Sequence, residues 1–127
     1  GYTTSDNVCR TSGPVIVFGD HTRAVKYVDF DFAIGADGAK VLRTTPQFDP
    51  RFFAALLAKL PIPDLGYSRH MRAVKKLSFP KPPIELQVSF SHRLKALDLR
   101  AAILEDAAAR CDKLFTSLQH RAFRGEL

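Results

Sequence analysis

The chain has no tryptophan, a single methionine and only two cysteines in 127 residues. Cys9 and Cys111 lie far apart, and neither has a neighbour at metal-ligand spacing, so a disulfide framework or a structural zinc site does not organise this sequence. The expectation is two free thiols in a reducing, cytoplasmic setting. Long apolar runs are also lacking, since nothing approaches the roughly 18–20 residues that cross a bilayer, and no signal-peptide pattern is visible. A convergent catalytic set is missing as well: His21 beside Asp20 and Thr22 is the nearest approach, and an Asx-type turn explains the same residues. His70, His92 and His120 have no second ligand at metal-binding spacing. Gly35 and Gly38 lack the strand, glycine-rich loop and helix order of a phosphate cradle, and turn formation accounts for them. No enzyme, no metal and no cofactor of its own is expected.

What is present is an ordinary globular composition, 46% apolar, with 19 Lys and Arg against 13 Asp and Glu and a formal charge of +6. That length holds one modest core, and that charge permits an acidic partner such as nucleic acid. The opening, Gly1-Tyr2-Thr3-Thr4-Ser5-Asp6-Asn7, has no initiator Met and is expected to be the interior of a loop in a longer protein. Residues 1–13 are polar and turn-rich.

The first third reads as β-rich. Pro14-Val15-Ile16-Val17-Phe18 is a short apolar run closed by Gly19-Asp20, suited to a buried strand. Val28, Phe30 and Phe32 alternate with Asp29 and Asp31 and predict a half-buried strand. A turn over Gly35-Ala36-Asp37-Gly38 leads into another strand over Ala39 to Arg43. The next third is helical. Asp49 caps and Pro50 opens a helix from Arg51 to Leu60, with Phe53, Leu56, Leu57 and Leu60 on one face and Pro61 and Pro63 at its end. Ser68 is expected to cap a short basic helix from Arg69 to Lys76. Leu77 to Pro83 is stiff and extended. Phe30, Phe32, Phe52 and Phe53 are expected in the core.

From Ile84 to Arg124 there is neither proline nor glycine, and Gly125 stands where a helix stops. Phe90, Leu94, Leu97, Ala101, Leu104, Ala108, Cys111, Phe115, Leu118 and Ala122 recur in alternating steps of four and three, the 3.5-residue period of a coiled-coil seam. With Leu94 at position a, Asp98, Glu105 and Asp112 occupy e positions and Arg93, Arg100 and Arg121 g positions. Leu99, Ile103 and Leu114 lie off the seam and are expected to touch the globular part. The expected architecture is α+β, a small β-rich domain with short helices over residues 1–83 and a long coiled-coil helix over 84–127.

This order resembles the specificity (S) subunits of type I restriction-modification systems, and particular stretches carry the resemblance. Phe18-Gly19-Asp20-His21-Thr22, Lys26-Tyr27-Val28-Asp29-Phe30 and Gly35-Ala36-Asp37-Gly38-Ala39-Lys40-Val41-Leu42 are similar to one version of that family's target-recognition domain. Gly66-Tyr67-Ser68-Arg69-His70 resembles the same version. Phe79-Pro80-Lys81-Pro82-Pro83-Ile84-Glu85-Leu86-Gln87 resembles the junction from which the family's spacer helix departs, and Leu114 to Leu127 resembles the end of that helix. The likeness spans essentially the whole chain, although the family's recognition domain begins well before residue 1. It implies a pair of recognition domains held apart by antiparallel spacer helices, methyltransferase (modification) subunits gripping those helices, and a motor-nuclease subunit that cuts DNA. S-adenosylmethionine, ATP and magnesium belong to those other subunits.

The resemblance turns the basic helix, Arg69, His70, Arg72, Lys75 and Lys76, from a solvated face into an expected contact with duplex DNA phosphates. His21, Arg23 and Lys26, near turns beside the sheet, are the candidates for reading base edges. Phe90, Leu94, Leu97, Leu104, Cys111, Phe115 and Leu118 are the expected self-pairing interface. The competing function is a coiled-coil adaptor whose head binds protein and whose charge is incidental.

Overall fold

Pro14 has no N–H to give a ladder, and the sheet begins one residue after it. The structure is a computed structural model that describes the backbone of residues 8–9 and residues 12–35, 38–67 and 69–126. The fold is α+β. Strand β1 (Val8–Cys9) pairs antiparallel with β4 (Phe32–Ala33). The main sheet has three antiparallel strands in the order β3-β2-β5, with β2 (Val15–Gly19) between β3 (Val25–Val28) and β5 (Ala39–Leu42). Ile16 pairs with Tyr27 and Leu42, and Phe18 pairs with Val25 and Lys40. Alternation therefore sends Ile16 and Phe18 to one face with Val25, Tyr27, Leu42 and Lys40, and Val17, Lys26 and Val41 to the other.

Helix α1 (Pro50–Lys59) covers the first face. The Asp49 carboxylate accepts the N–H of Phe52, and Pro50 lies at the first helical position, so the start is capped as its sequence predicts. Ile16, Phe18, Ala54, Leu57 and Val74 form the buried core, flanked by Phe53, Leu60, Ile62, Met71 and Phe79. Ala54 takes the inner place expected of Leu56. The Arg51 guanidinium sits 4.4 Å over the Tyr27 ring, closing one edge of this layer.

Two expectations are corrected. The strand predicted over Val28 to Phe32 lies earlier, because the β2–β3 ladder ends where Val28 pairs with Val15, next to Pro14. Phe30, beyond that end, is 63% exposed rather than in the core. The basic helix is shorter than predicted: α2 spans Met71–Val74, and its first free N–H, that of Met71, is taken by the Asp20 carboxylate at 2.6 Å. Ser68, expected as the cap, lies outside the described residues, as do Ala36 and Asp37 of the expected turn, the Cys9 thiol and residues 1–7.

Helix α3 (Ile84–Phe123) is continuous over 40 residues, about 60 Å at roughly 1.5 Å per residue. Gly125 closes it with φ of 71°. The Gly125 N–H reaches Ala122 O and the Glu126 N–H reaches Arg121 O, the paired bonds of a Schellman end. The chain forms two compact units, Gly1–Ser91 and His92–Leu127, so the boundary lies beyond the expected one at residue 84. The reason is that the first turns of α3 are built into the globular unit. Gln87 is fully buried there: its Nε2 donates to Gln47 O (3.1 Å) and Pro82 O (2.8 Å), and its Oε1 accepts the Asp49 N–H (2.9 Å). The Ser91 hydroxyl donates to the Asp49 carboxylate, and Phe90 meets Phe52 edge-on at 5.7 Å.

In the second unit Leu97, Leu104, Phe115 and Leu118 are exposed, as is Cys111. Leu99, Ile103 and Leu114 are exposed too, at 59%, 68% and 62%. No helix among the described residues is long and apolar enough to cross a membrane.

Candidate nucleic-acid interface

The site is organised by the end of β2. Gly19 permits a tight loop there, in which its N–H donates to Ala24 O and the Arg23 N–H returns to Gly19 O, both at 2.8 Å. A Cβ at residue 19 would collide with the Thr22 hydroxyl. The next residue, Asp20, is 2% exposed and ties three segments together. Its N–H donates to Gly38 O (2.7 Å), and its carbonyl accepts the backbone N–H of His70 (2.9 Å). The same carbonyl lies 2.7 Å from His70 Nδ1. Because His70 Nε2 accepts the Leu65 N–H at 3.1 Å, Nδ1 carries the proton and donates to Asp20 O. This is a neutral imidazole with both nitrogens occupied.

His70 therefore leaves the expected phosphate-contact set. It is buried, and it works as a latch that ties Leu65 to Asp20 at the end of β2.

The consequence of the latch is on the surface. Arg69, Arg72, Lys75 and Lys76 are exposed and line one open groove of about 890 Å³, joined by Lys40 from β5. Met71, Ala73, Pro63 and Leu65 form its apolar wall, with Asp20 at its base. None of the five cations has an ion-pair partner among the described residues. Among the described residues, five unpaired cations against one lining carboxylate already engaged with Met71 make the groove electropositive, and an open cleft of one sign draws an anionic ligand. Lys40 was not among the residues picked out from sequence. Its signal was its place two residues before Leu42, which put it on the core face of β5 at the sheet end.

The three base-reader candidates separate. His21 lines a neighbouring depression of about 510 Å³ with Thr22, Gly38, Tyr67 and Arg69. Arg23 is committed elsewhere, because its guanidinium pairs with the Asp64 carboxylate at 2.9 Å and donates to Ile62 O at 3.2 Å. Its φ of 59° is the uncommon left-handed region for a residue other than glycine. Lys26 is exposed on the sheet face opposite Lys40 and lines neither cleft. Tyr67, quoted only as part of a motif in the sequence, lines the depression beside His21 and not the cationic groove. No group of His, Cys, Asp and Glu able to hold a metal ion occurs among the described residues. Compared with protein families, with curated proteins and with solved structures, the chain has no match.

Proposed function

We propose that the chain is a DNA-recognition element of a type I restriction-modification specificity subunit, working in the cytoplasm without catalysis of its own. The observation that carries the DNA part is the convergence of Lys40, Arg69, Arg72, Lys75 and Lys76 on one groove with no ion-pair partners among the described residues. Phosphates are the ligand such a groove suits, since neutralising several of them releases condensed counterions and supplies affinity independent of sequence. Sequence reading is assigned to residues at the groove's end, His21 foremost, and no longer to Arg23 or Lys26.

The assembly part rests on the second unit. Its exposed seam, with Leu97, Leu104, Phe115 and Leu118, is more apolar surface than an isolated helix keeps in water. Pairing with a second spacer helix covers the seam, and the methyltransferase subunits cover the off-seam set of Leu99, Ile103 and Leu114. The motor-nuclease subunit joins through those subunits. The adaptor reading shares this helix and differs in the head.

One experiment separates the two readings. The chain is mixed with fluorescent duplex DNA and with a methyltransferase (modification) subunit of a type I system, at low salt. A DNA-recognition element retards the duplex alone and forms a ternary complex with the subunit. An adaptor leaves the duplex free at every concentration.

A further inference from the structure

His21 and Tyr67 form a feature that phosphate binding does not use. Their rings are 4.6 Å apart and within 6° of parallel, yet Tyr67 is 91% exposed. Leaving an aromatic ring in water gives up roughly 25 cal/mol per Å² of burial, so stacking on His21, and not core packing, sets its position. His21 is itself held in place. Gly38 leaves the space its ring occupies, because a Cβ there would lie 2.8 Å from His21 Cδ2. His21 Nδ1 is buried with no hydrogen-bond partner among the described residues, and shape and stacking place the ring. One face of Tyr67 is covered by His21 and the other is open, beside a depression whose lining includes Arg69. Arg69 also lines the cationic groove.

We propose that Tyr67 is a stacking platform for one unpaired nucleobase, with Arg69 taking the adjoining phosphate. A duplex shows base edges in its grooves while its base faces are covered by the stack. An open aromatic face is therefore matched by a base that has left the stack or was never in it. An aromatic face beside a cation is the combination by which proteins hold single strands without sequence preference. The inference rests on the neighbouring groove binding DNA, and adds a form of DNA which that reading does not require.

The test uses the absence of tryptophan from the chain. Tyr67→Trp places a sole indole on the platform, at a position open enough to accept it. Titrated with a duplex carrying a short single-stranded extension, the emission of this variant falls. An extension of the same length made of abasic sites binds but leaves the emission unchanged. Tyr67→Ala weakens binding of the base-bearing extension about tenfold or more and leaves binding of the blunt duplex as it was. Equal quenching by the abasic extension or the blunt duplex, or no loss on Tyr67→Ala, overturns the platform while the groove stands. Failure of every one of these DNAs to bind overturns both.

Discussion

Gln87, in the first turn of the long helix, accepts a hydrogen bond from the backbone N–H of Asp49, the residue that caps α1. A single buried amide thus joins the start of one helix to the start of another and also satisfies the carbonyls of Gln47 and Pro82. Ser91, one turn on, completes the joint through the Asp49 carboxylate.

Replacing Gln87 by Leu takes this partner from the Asp49 N–H and from the Gln47 and Pro82 carbonyls at a part-buried joint, where water replaces some of the lost bonds and a group left unsatisfied costs about 1–3 kcal/mol. We expect Gln87→Leu to lose about 2–4 kcal/mol of stability in urea unfolding. Ser91→Ala removes one partner from a carboxylate that still holds the Phe52 N–H, so a loss near 1 kcal/mol is expected. Equal effects of the two changes would show that Gln87 does not hold the joint.

The latch is tested by His70→Phe, which keeps the ring volume but leaves Leu65 N–H without its acceptor. A loss of about 1–3 kcal/mol is expected, against less than about 0.5 kcal/mol for Arg69→Ala at the exposed neighbouring position. Where His70→Phe remains folded, its DNA salt dependence should match that of the unaltered chain, because residue 70 faces the interior.

Much of this was legible in sequence where the determinants are local. Pro14 to Phe18, the Asp49-Pro50 cap, the uninterrupted stretch from Ile84 and the glycine stop at 125 are each decided by residues within a turn or two, and each appears. What was not legible depends on partners far along the chain. His70 reads as one more basic residue until Asp20, 50 positions earlier, takes both its N–H and its ring. Arg23 reads as a free cation until Asp64 closes on it from 41 positions away. Gln87 looks like a helix-surface residue, and only its place one turn before Ser91 and beside Phe90 hinted at the buried side. The Asp29 to Asp31 alternation continued past the point where the ladder stops, since alternation marks a face but not a strand's end.

The direction of helix pairing can be read by cross-linking in a background with Cys9 and Cys111 replaced by Ser. In an antiparallel pair, Leu104→Cys or Ala108→Cys, near the centre, cross-links to its own copy, whereas Leu94→Cys does not. The e and g charges favour a parallel pair by only about 0–1 kcal/mol per contact, while the seam stabilises either direction, at roughly 25 cal/mol per Å². Efficient self-cross-linking at Leu94→Cys would establish the parallel arrangement and remove the antiparallel spacing of two recognition domains that the resemblance implies.

The most direct test of DNA recognition by the groove is the salt dependence of duplex binding, measured for the unaltered chain, for the double change Arg69→Ala with Arg72→Ala, and for Lys26→Ala. Each phosphate contact contributes about 0.9 to the slope of log affinity against log salt. The double change should make that slope shallower by about two units, and Lys26→Ala, on the opposite sheet face, should leave it unchanged. An unchanged slope in the double variant, or no measurable duplex binding at low salt, would contradict the assignment of this groove to DNA.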